Sequence, residues 1–188
     1  MKQLHLNKIY YILLFNYLLM LFACSRTVVD EKNNVQNLDF ATWKWYISDQ
    51  ENYAVFGPSQ HTSSVLKVQT PQGELSVPVT YFRVNNDIFY ISSQMRHLPG
   101  TDTAILEAQA RGIEGKFTVG TITREPFVHR GCVGLRLYIQ RPDSYKIAEL
   151  IATCMRTYQV VTDLASTTAP RMQSIIFRFS FTPLDGCQ

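Results

Sequence analysis

Between residues 43 and 92, and again between 117 and 140, the apolar side chains of this 188-residue chain recur mostly at every second position, a pattern that commits those stretches to β-strands. Trp43, Trp45 and Ile47 alternate in this way, and Tyr53–Phe56 gives a second short run closed by Gly57-Pro58. Val65–Thr70 then leads through Pro71-Gln72-Gly73 into a longer strand with Leu75, Val77, Val79 and Tyr81 on one face. Pro78 lies on the opposite face of that strand. Proline donates no ladder hydrogen bond, so the strand is expected at a sheet edge or with a bulge there. Asn85-Asn86-Asp87 turns the chain into Ile88–Ser92.

The period changes after Pro99-Gly100. Thr101 or Thr103 can cap a helix whose first turn carries Asp102 and whose apolar stripe is Ile105, Leu106 and Ala108, with Gly112 as its stop. Phe117–Thr123 and Cys132–Gln140 read as strands, the second with Val133, Leu135, Leu137 and Ile139 on one face, and Arg141-Pro142-Asp143-Ser144 turns the chain back. Tyr145–Asp163 stays open: Ile147, Leu150, Ile151 and Cys154 suit a helix, whereas Tyr158, Val160 and Thr162 alternate as in a strand. A last helix is expected behind Thr168 and Pro170, with Met172, Ile175, Ile176 and Phe179 as its buried stripe.

Ahead of the strands stands a different kind of segment. Lys2 and Lys8 precede an apolar run from Ile9 to Ala23, which ends in Leu21-Phe22-Ala23-Cys24. The run has 15 residues and includes Asn16, too short for the roughly 20 apolar residues of a spanning helix. Its end resembles a bacterial lipobox, which implies lipidation of the Cys24 thiol and cleavage before it. On that reading residues 1–23 are a signal peptide, the polar residues 24–39 a tether, and residues 40–188 one domain. The protein is then a cell-envelope lipoprotein held to the membrane by Cys24. Ser25 after the cysteine resembles outer-membrane sorting, with the domain facing the periplasm.

Without Lys2 and Lys8 the 18 basic and 15 acidic residues leave a charge of +1, with Lys and Arg scattered singly, so no nucleic-acid partner is indicated. Once Cys24 is lipidated, Cys132, Cys154 and Cys187 remain, with no C-x-x-C pair for zinc or redox chemistry. If Cys132–Gln140 and Tyr145–Cys154 form a hairpin turning between Pro142 and Asp143, Cys132 faces position 153. A bulge of one residue, or a turn centred half a residue later, would then oppose it to Cys154. A Cys132–Cys154 disulfide is expected on this argument, with Cys187 free.

About 150 residues resemble the PsbP-like superfamily. The likeness rests on Tyr53-Ala54-Val55-Phe56 with Gly57-Pro58, Val68-Gln69-Thr70 with Gly73, and Tyr90-Ile91-Ser92. It continues through Gly131-Cys132-Val133-Gly134 and Tyr158-Gln159-Val160, and ends in a helix running into Phe179-Ser180-Phe181. The family usually has Phe-Pro where this chain has Phe56-Gly57-Pro58. The resemblance implies an α+β domain: one antiparallel sheet of six to seven strands with helices packed against it, an α/β/α sandwich. It favours strand for Tyr145–Asp163. It carries no catalytic motif, because members act mostly as binding or assembly factors.

No nucleophile elbow, Walker loop, dinucleotide-binding glycine pattern or zincin motif occurs. His129 near Cys132 is the one nucleophile–base spacing, and His61 and His97 are isolated. No catalytic residue, cofactor or metal is therefore assigned. Trp43, Trp45 and Tyr46 are the aromatic candidates for a partner surface, one Trp being expected in the core. The expected function is a non-catalytic binding or assembly module that meets another envelope protein; the alternative is an envelope hydrolase or thiol redox enzyme. Cys24→Ser should leave the precursor uncleaved and abolish acyl labelling in radiolabelled-palmitate cultures; a normally processed, membrane-bound variant would overturn the lipoprotein reading.

Overall fold

Two meanders, each made by short turns between neighbouring strands, meet at the centre of one sheet. The computed structural model describes residues 40–70, 73–96, 100–165 and 172–187, which all belong to one unit running from Leu38 to Gln188. The elements are β1 (Trp43–Ser48), β2 (Tyr53–Pro58), β3 (His61–Thr70), β4 (Gly73–Val84), β5 (Asp87–Met95), α1 (Asp102–Glu114), β6 (Thr121–His129) and β7 (Cys132–Gln140). They continue with β8 (Tyr145–Ala152), β9 (Arg156–Leu164), α2 (Met172–Ser180) and β10 (Thr182–Pro183). The fold is mixed α+β. Its main sheet has seven antiparallel strands in the order β3-β4-β5-β9-β8-β7-β6, and a second sheet of three strands has the order β1-β2-β10.

The second sheet is a correction to the single sheet expected. β1 and β2 pair with each other from Trp43↔Pro58 to Ser48↔Tyr53 and bury Trp43, Tyr53 and Val55 in the same cluster as Phe82, Phe89 and Tyr158 of the main sheet. Polar bonds fix their turn over the sheet. The Tyr158 hydroxyl donates to the carbonyls of Glu51 and Asn52, both at 3.0 Å, and Arg156 Nη1 bonds Glu51 Oε2 at 2.9 Å.

The sheet buries both faces, and that decides the ambiguous stretch. β8 places Ile151 in the cluster beneath α2 and the small sheet, while Ala148, Leu150 and Ala152 join Leu106 and Ala110 of α1 on the other face. A strand covered on both sides loses its polar alternation, which is why Tyr145–Ala152 mimics a helical stripe. The register is the one that the turn implies, with Gln140 opposite Tyr145 and Gly134 opposite Ile151.

α1 begins where its cap residue requires. Thr101 Oγ1 accepts from the Ala104 N–H at 3.3 Å, Asp102 sits in the first turn, and the helix passes Gly112 to end at Glu114 with Gly115 as its C-cap. It packs on β7 and β8 through Leu106 and Ala110. β6 starts at Thr121, so Phe117 lies in the connection that was expected to be strand; β6 is an edge strand and so tolerates Pro126 within it.

Pro78 is not at an edge, since β4 lies between β3 and β5. The β4–β5 ladder instead stops at Val79↔Ser92, one residue short of the proline. Beyond that point β4 pairs only with β3, from Val65↔Pro78 to Thr70↔Gly73, as a two-stranded ribbon.

Gly134 in β7 stands opposite Phe127 in β6, and a Cβ there would lie 2.5–2.9 Å from three atoms of the Phe127 ring. The ring covers the glycine, with the Arg136 guanidinium 4.6 Å from its centroid. Gly134→Ala should therefore cost about 1–3 kcal/mol of overpacking, read as a lower melting temperature by circular dichroism. The Phe127→Leu/Gly134→Ala double variant should recover part of that loss, and an unchanged Tm for the single variant would show that the ring does not press on the glycine.

Candidate functional site

The C-terminal tail closes over one end of the sheet and gathers the cysteines there. After β10 the Leu184 N–H donates to the Asn52 carbonyl at 2.7 Å. Asp185 then accepts from the Thr153 hydroxyl at 2.6 Å and from the Tyr158 hydroxyl at 3.2 Å. Burial and the nearby Asp185 carboxylate push the Tyr158 phenol above its ordinary pKa, which keeps it a neutral donor. Two residues on, Cys187 bonds to Cys132, with their Cα atoms 5.1 Å apart.

The expected Cys132–Cys154 bond is thus replaced by Cys132–Cys187. No bulge interrupts the paired part of the hairpin, from Gln140↔Tyr145 to Gly134↔Ile151, a register that if continued would set Cys132 against Thr153, and Cys154 falls in the connection between β8 and β9. A one-residue offset turns a side chain to the other face. Cys132 is buried in the core cluster, whereas Cys154 is a free, exposed thiol. All three cysteines still line one cavity of about 400 Å³, together with Arg96, Asp102 and Thr153.

His129 and Cys132 do not form a nucleophile–base pair. They face each other across the end of β6 and β7, but the sulfur is consumed in the disulfide and the imidazole is turned to the tail. His129 Nε2 lies 2.7 Å from the Phe181 carbonyl; because a carbonyl only accepts, Nε2 carries the proton. Arg130, at φ 50°, donates to the same carbonyl from Nε at 3.1 Å. Desolvation holds His129 below the ordinary imidazole pKa, against the opposing pull of the Phe181 carbonyl and Glu149.

His61 stacks on Tyr46 and Phe82 at ring distances of 4.5 and 5.8 Å, while His97, like Cys24, lies outside the described residues. Among the described residues no three His, Cys, Asp or Glu side chains converge as a metal site, and no helix is long and apolar enough to cross a membrane. The aromatic candidates for a partner surface are mostly internal. Trp43 is core, Tyr46 packs on Tyr53 and Phe82, and Trp45 is half-buried against Phe56.

The largest departure from the expected pattern is α2; its expected caps, Thr168 and Pro170, lie outside the described residues. Its buried residues are Ser174, Phe177, Arg178 and Ser180, while Met172, Ile175 and Phe179 are 51, 41 and 69 % exposed. The cause is Glu149, a buried carboxylate on β8 that accepts from Arg178 Nη1 at 2.6 Å and from Arg136 Nε of β7 at 2.9 Å. Hydroxyls complete the inner face: Ser174 meets Thr162 at 3.0 Å, and Ser180 accepts from the Phe56 N–H at 3.0 Å. Turning Arg178 inward turns the methionine, isoleucine and phenylalanine outward. The sequence signal that could have shown this is the lone acid in the otherwise apolar Ile147–Ala152 run, which demands a cation from a neighbouring element.

No protein-family model matches the chain, and no curated protein matches it.

The His129 shift sets a pH dependence. An unfolded imidazole titrates near pH 6.5, and the buried one binds its proton only at lower pH, so between those values the unfolded chain holds more protons than the folded one. Stability should be fully present above about pH 6.5 and decline as the pH falls below it. Urea melts at stepped pH should show that decline in the wild type and a flatter profile for His129→Gln; equal slopes would remove His129 as its cause.

Proposed function

We propose that the protein is a lipid-anchored binding or assembly module of a bacterial cell envelope, built on a PsbP-like domain, and that it holds another envelope protein against the outer face of α2. The observation that carries this reading is the outward stripe of Met172, Ile175 and Phe179, three large apolar side chains on successive turns of one helix. Exposed apolar surface of this kind favours a partner that removes it from water, at roughly 25 cal/mol per Å² of buried apolar area. The mixed α+β class is the one that the resemblance in Tyr53–Pro58, Tyr90-Ile91-Ser92 and Phe179-Ser180-Phe181 implies. The leader ending at Cys24 supplies the anchor.

The chemistry of α2 makes a partner surface with a fixed orientation. Arg178 is held by Glu149, so the helix cannot roll its apolar side chains into the core without abandoning a buried carboxylate. Arg136 would stay on Glu149, so the loss is that of one of its two cations rather than of all its compensation. The exposed stripe is thereby maintained as a standing feature of the folded domain, available to a groove or helix of complementary shape.

Site-specific photocrosslinking tests this. A photoreactive residue at Phe179 of the full chain in intact cells should give one discrete adduct with an envelope protein, and one at Val65 on β3 should not. Ile175→Glu should suppress that adduct by about tenfold or more while leaving the melting temperature within a few degrees, because an interface core tolerates no unpaired charge and an exposed helix position does. Absence of the Phe179 adduct, or indifference of the adduct to Ile175→Glu, would remove α2 as the binding face.

A further inference from the structure

We propose that Cys154 and the Cys132–Cys187 bond form an intramolecular thiol–disulfide exchange site, in which Cys187 changes partner from Cys132 to Cys154. The inference stands apart from the α2 surface. It rests on three cysteines lining one cavity, two of them fixed in the sheet and one carried on the tail.

The two fixed positions are rigid for different reasons. Cys132 opens β7, is 1 % exposed and sits among Tyr158, Phe181 and Ile151 in the core. Cys154 is held at the surface by a turn bonded on both sides. The Thr153 N–H donates to the Arg156 carbonyl at 2.9 Å, the Arg156 N–H to the Thr153 hydroxyl at 3.0 Å, and Arg96 Nη1 to the Thr153 carbonyl at 2.6 Å. The Arg96 N–H closes the other side on the Met155 carbonyl at 2.9 Å.

Cys187 is carried differently. The Asp185–Thr153 bond brings the tail against the residue next to Cys154, and between Asp185 and Cys187 there is only Gly186, at φ 72° with open space around its Cα. A glycine at that point is a pivot. Rotation there swings Cys187 between the end of β7 and the 153–155 turn while Asp185 keeps its bonds. Cys187 is also the more exposed end of the disulfide, so it is the sulfur open to attack.

The chemistry balances within the chain. The Cys154 thiol gives its proton to solvent, and the thiolate attacks Cys187 Sγ. A Cys154–Cys187 bond forms, the Cys132–Cys187 bond breaks, and its electron pair leaves on Cys132 Sγ, which takes a proton from solvent. One thiol and one disulfide stand on each side, so neither oxidant nor reductant is consumed. The product leaves Cys132 as a buried thiol, a state that an apolar core accommodates well. The end of the tail then lies on the β8–β9 turn instead of the β6–β7 end.

Trypsin separates the cysteines cleanly, because Cys132, Cys154 and Cys187 fall in the fragments 131–136, 147–156 and 179–188, and Cys24 in a fourth. The full-length protein, held natively at mildly alkaline pH for increasing times, is acid-quenched, alkylated with N-ethylmaleimide and digested without reduction. The expected result is a time-dependent shift of fragment 179–188 from its link with 131–136 to a link with 147–156, matched by alkylation of Cys132. Cys154→Ser should show the first link at every time point. Cys132→Ser leaves Cys154 and Cys187 as two thiols, which glutathione disulfide as added oxidant should join as the Cys154–Cys187 link while being reduced to glutathione, and a melt on that variant separates loss of exchange from loss of fold. Persistence of the 131–136 link alone in the wild type, a link between 131–136 and 147–156, a bond to Cys24, or a Cys154-linked dimer would each overturn the proposal.

Discussion

A carboxylate buried in the middle of a sheet has to be answered by a cation, and Glu149 is answered twice. One answer is local, since Arg136 stands directly opposite it on β7. The other comes from 29 residues away, and it fixes how α2 sits. A helix whose inner face carries an arginine and two serines meets the main sheet at Ser174 and the small sheet at Ser180, places the Phe177 ring against Phe82 and Phe89 at 5.3 and 5.1 Å, keeps Ile176 partly buried, and leaves Met172, Ile175 and Phe179 outside. The polar group therefore sets the rotation, and the hydrophobic effect fills the space that remains. Such a pair is weak as a source of stability but strong as a selector, because every other rotation of α2 takes Arg178 off Glu149 and leaves the carboxylate with Arg136 alone.

Where a residue's role was set by its neighbours in sequence, it could be read from sequence. The Thr101 cap, the Asn85-Asn86 turn, and the register of β7 on β8 are of this kind, each fixed by two to four consecutive residues. Roles set across the fold were not legible. Met172, Ile175 and Phe179 have the spacing of a core stripe, and only Glu149, on another element, reverses their direction. β8 was ambiguous because α1 and the small sheet cover opposite faces of its neighbourhood. The partner of Cys132 depended on a tail whose course follows from Asp185 finding Thr153 and Tyr158, contacts that no local pattern announces.

The two edges of the main sheet are treated differently. β6 carries Pro126, and its Arg124 reaches Glu107 of α1 at 2.6 Å, so that edge is interrupted and braced. β3 carries no proline, and its outer half runs with β4 as a ribbon beyond the end of the β4–β5 ladder. Lys67, bonded to Glu74 across the ribbon at 2.8 Å, places one charge on an otherwise uncharged strand edge. A charge on an edge discourages pairing with another strand.

The seam between the meanders has a further meaning for how the chain is made. β5 pairs with β9 along its length, from Ile88↔Asp163 to Met95↔Arg156, so the strand that completes the centre of the sheet is synthesised long after the one it joins. Until it emerges, both edges of the β3–β4–β5 meander are open, and the one that β9 will close is β5, with Phe89 and Ile91 waiting for cover. Contacts of such sequence separation slow folding and leave strand edges exposed in the interval. A chain synthesised N-terminus first presents that half-sheet alone, so its uncovered apolar face is most open to other contacts in the interval before β9 arrives.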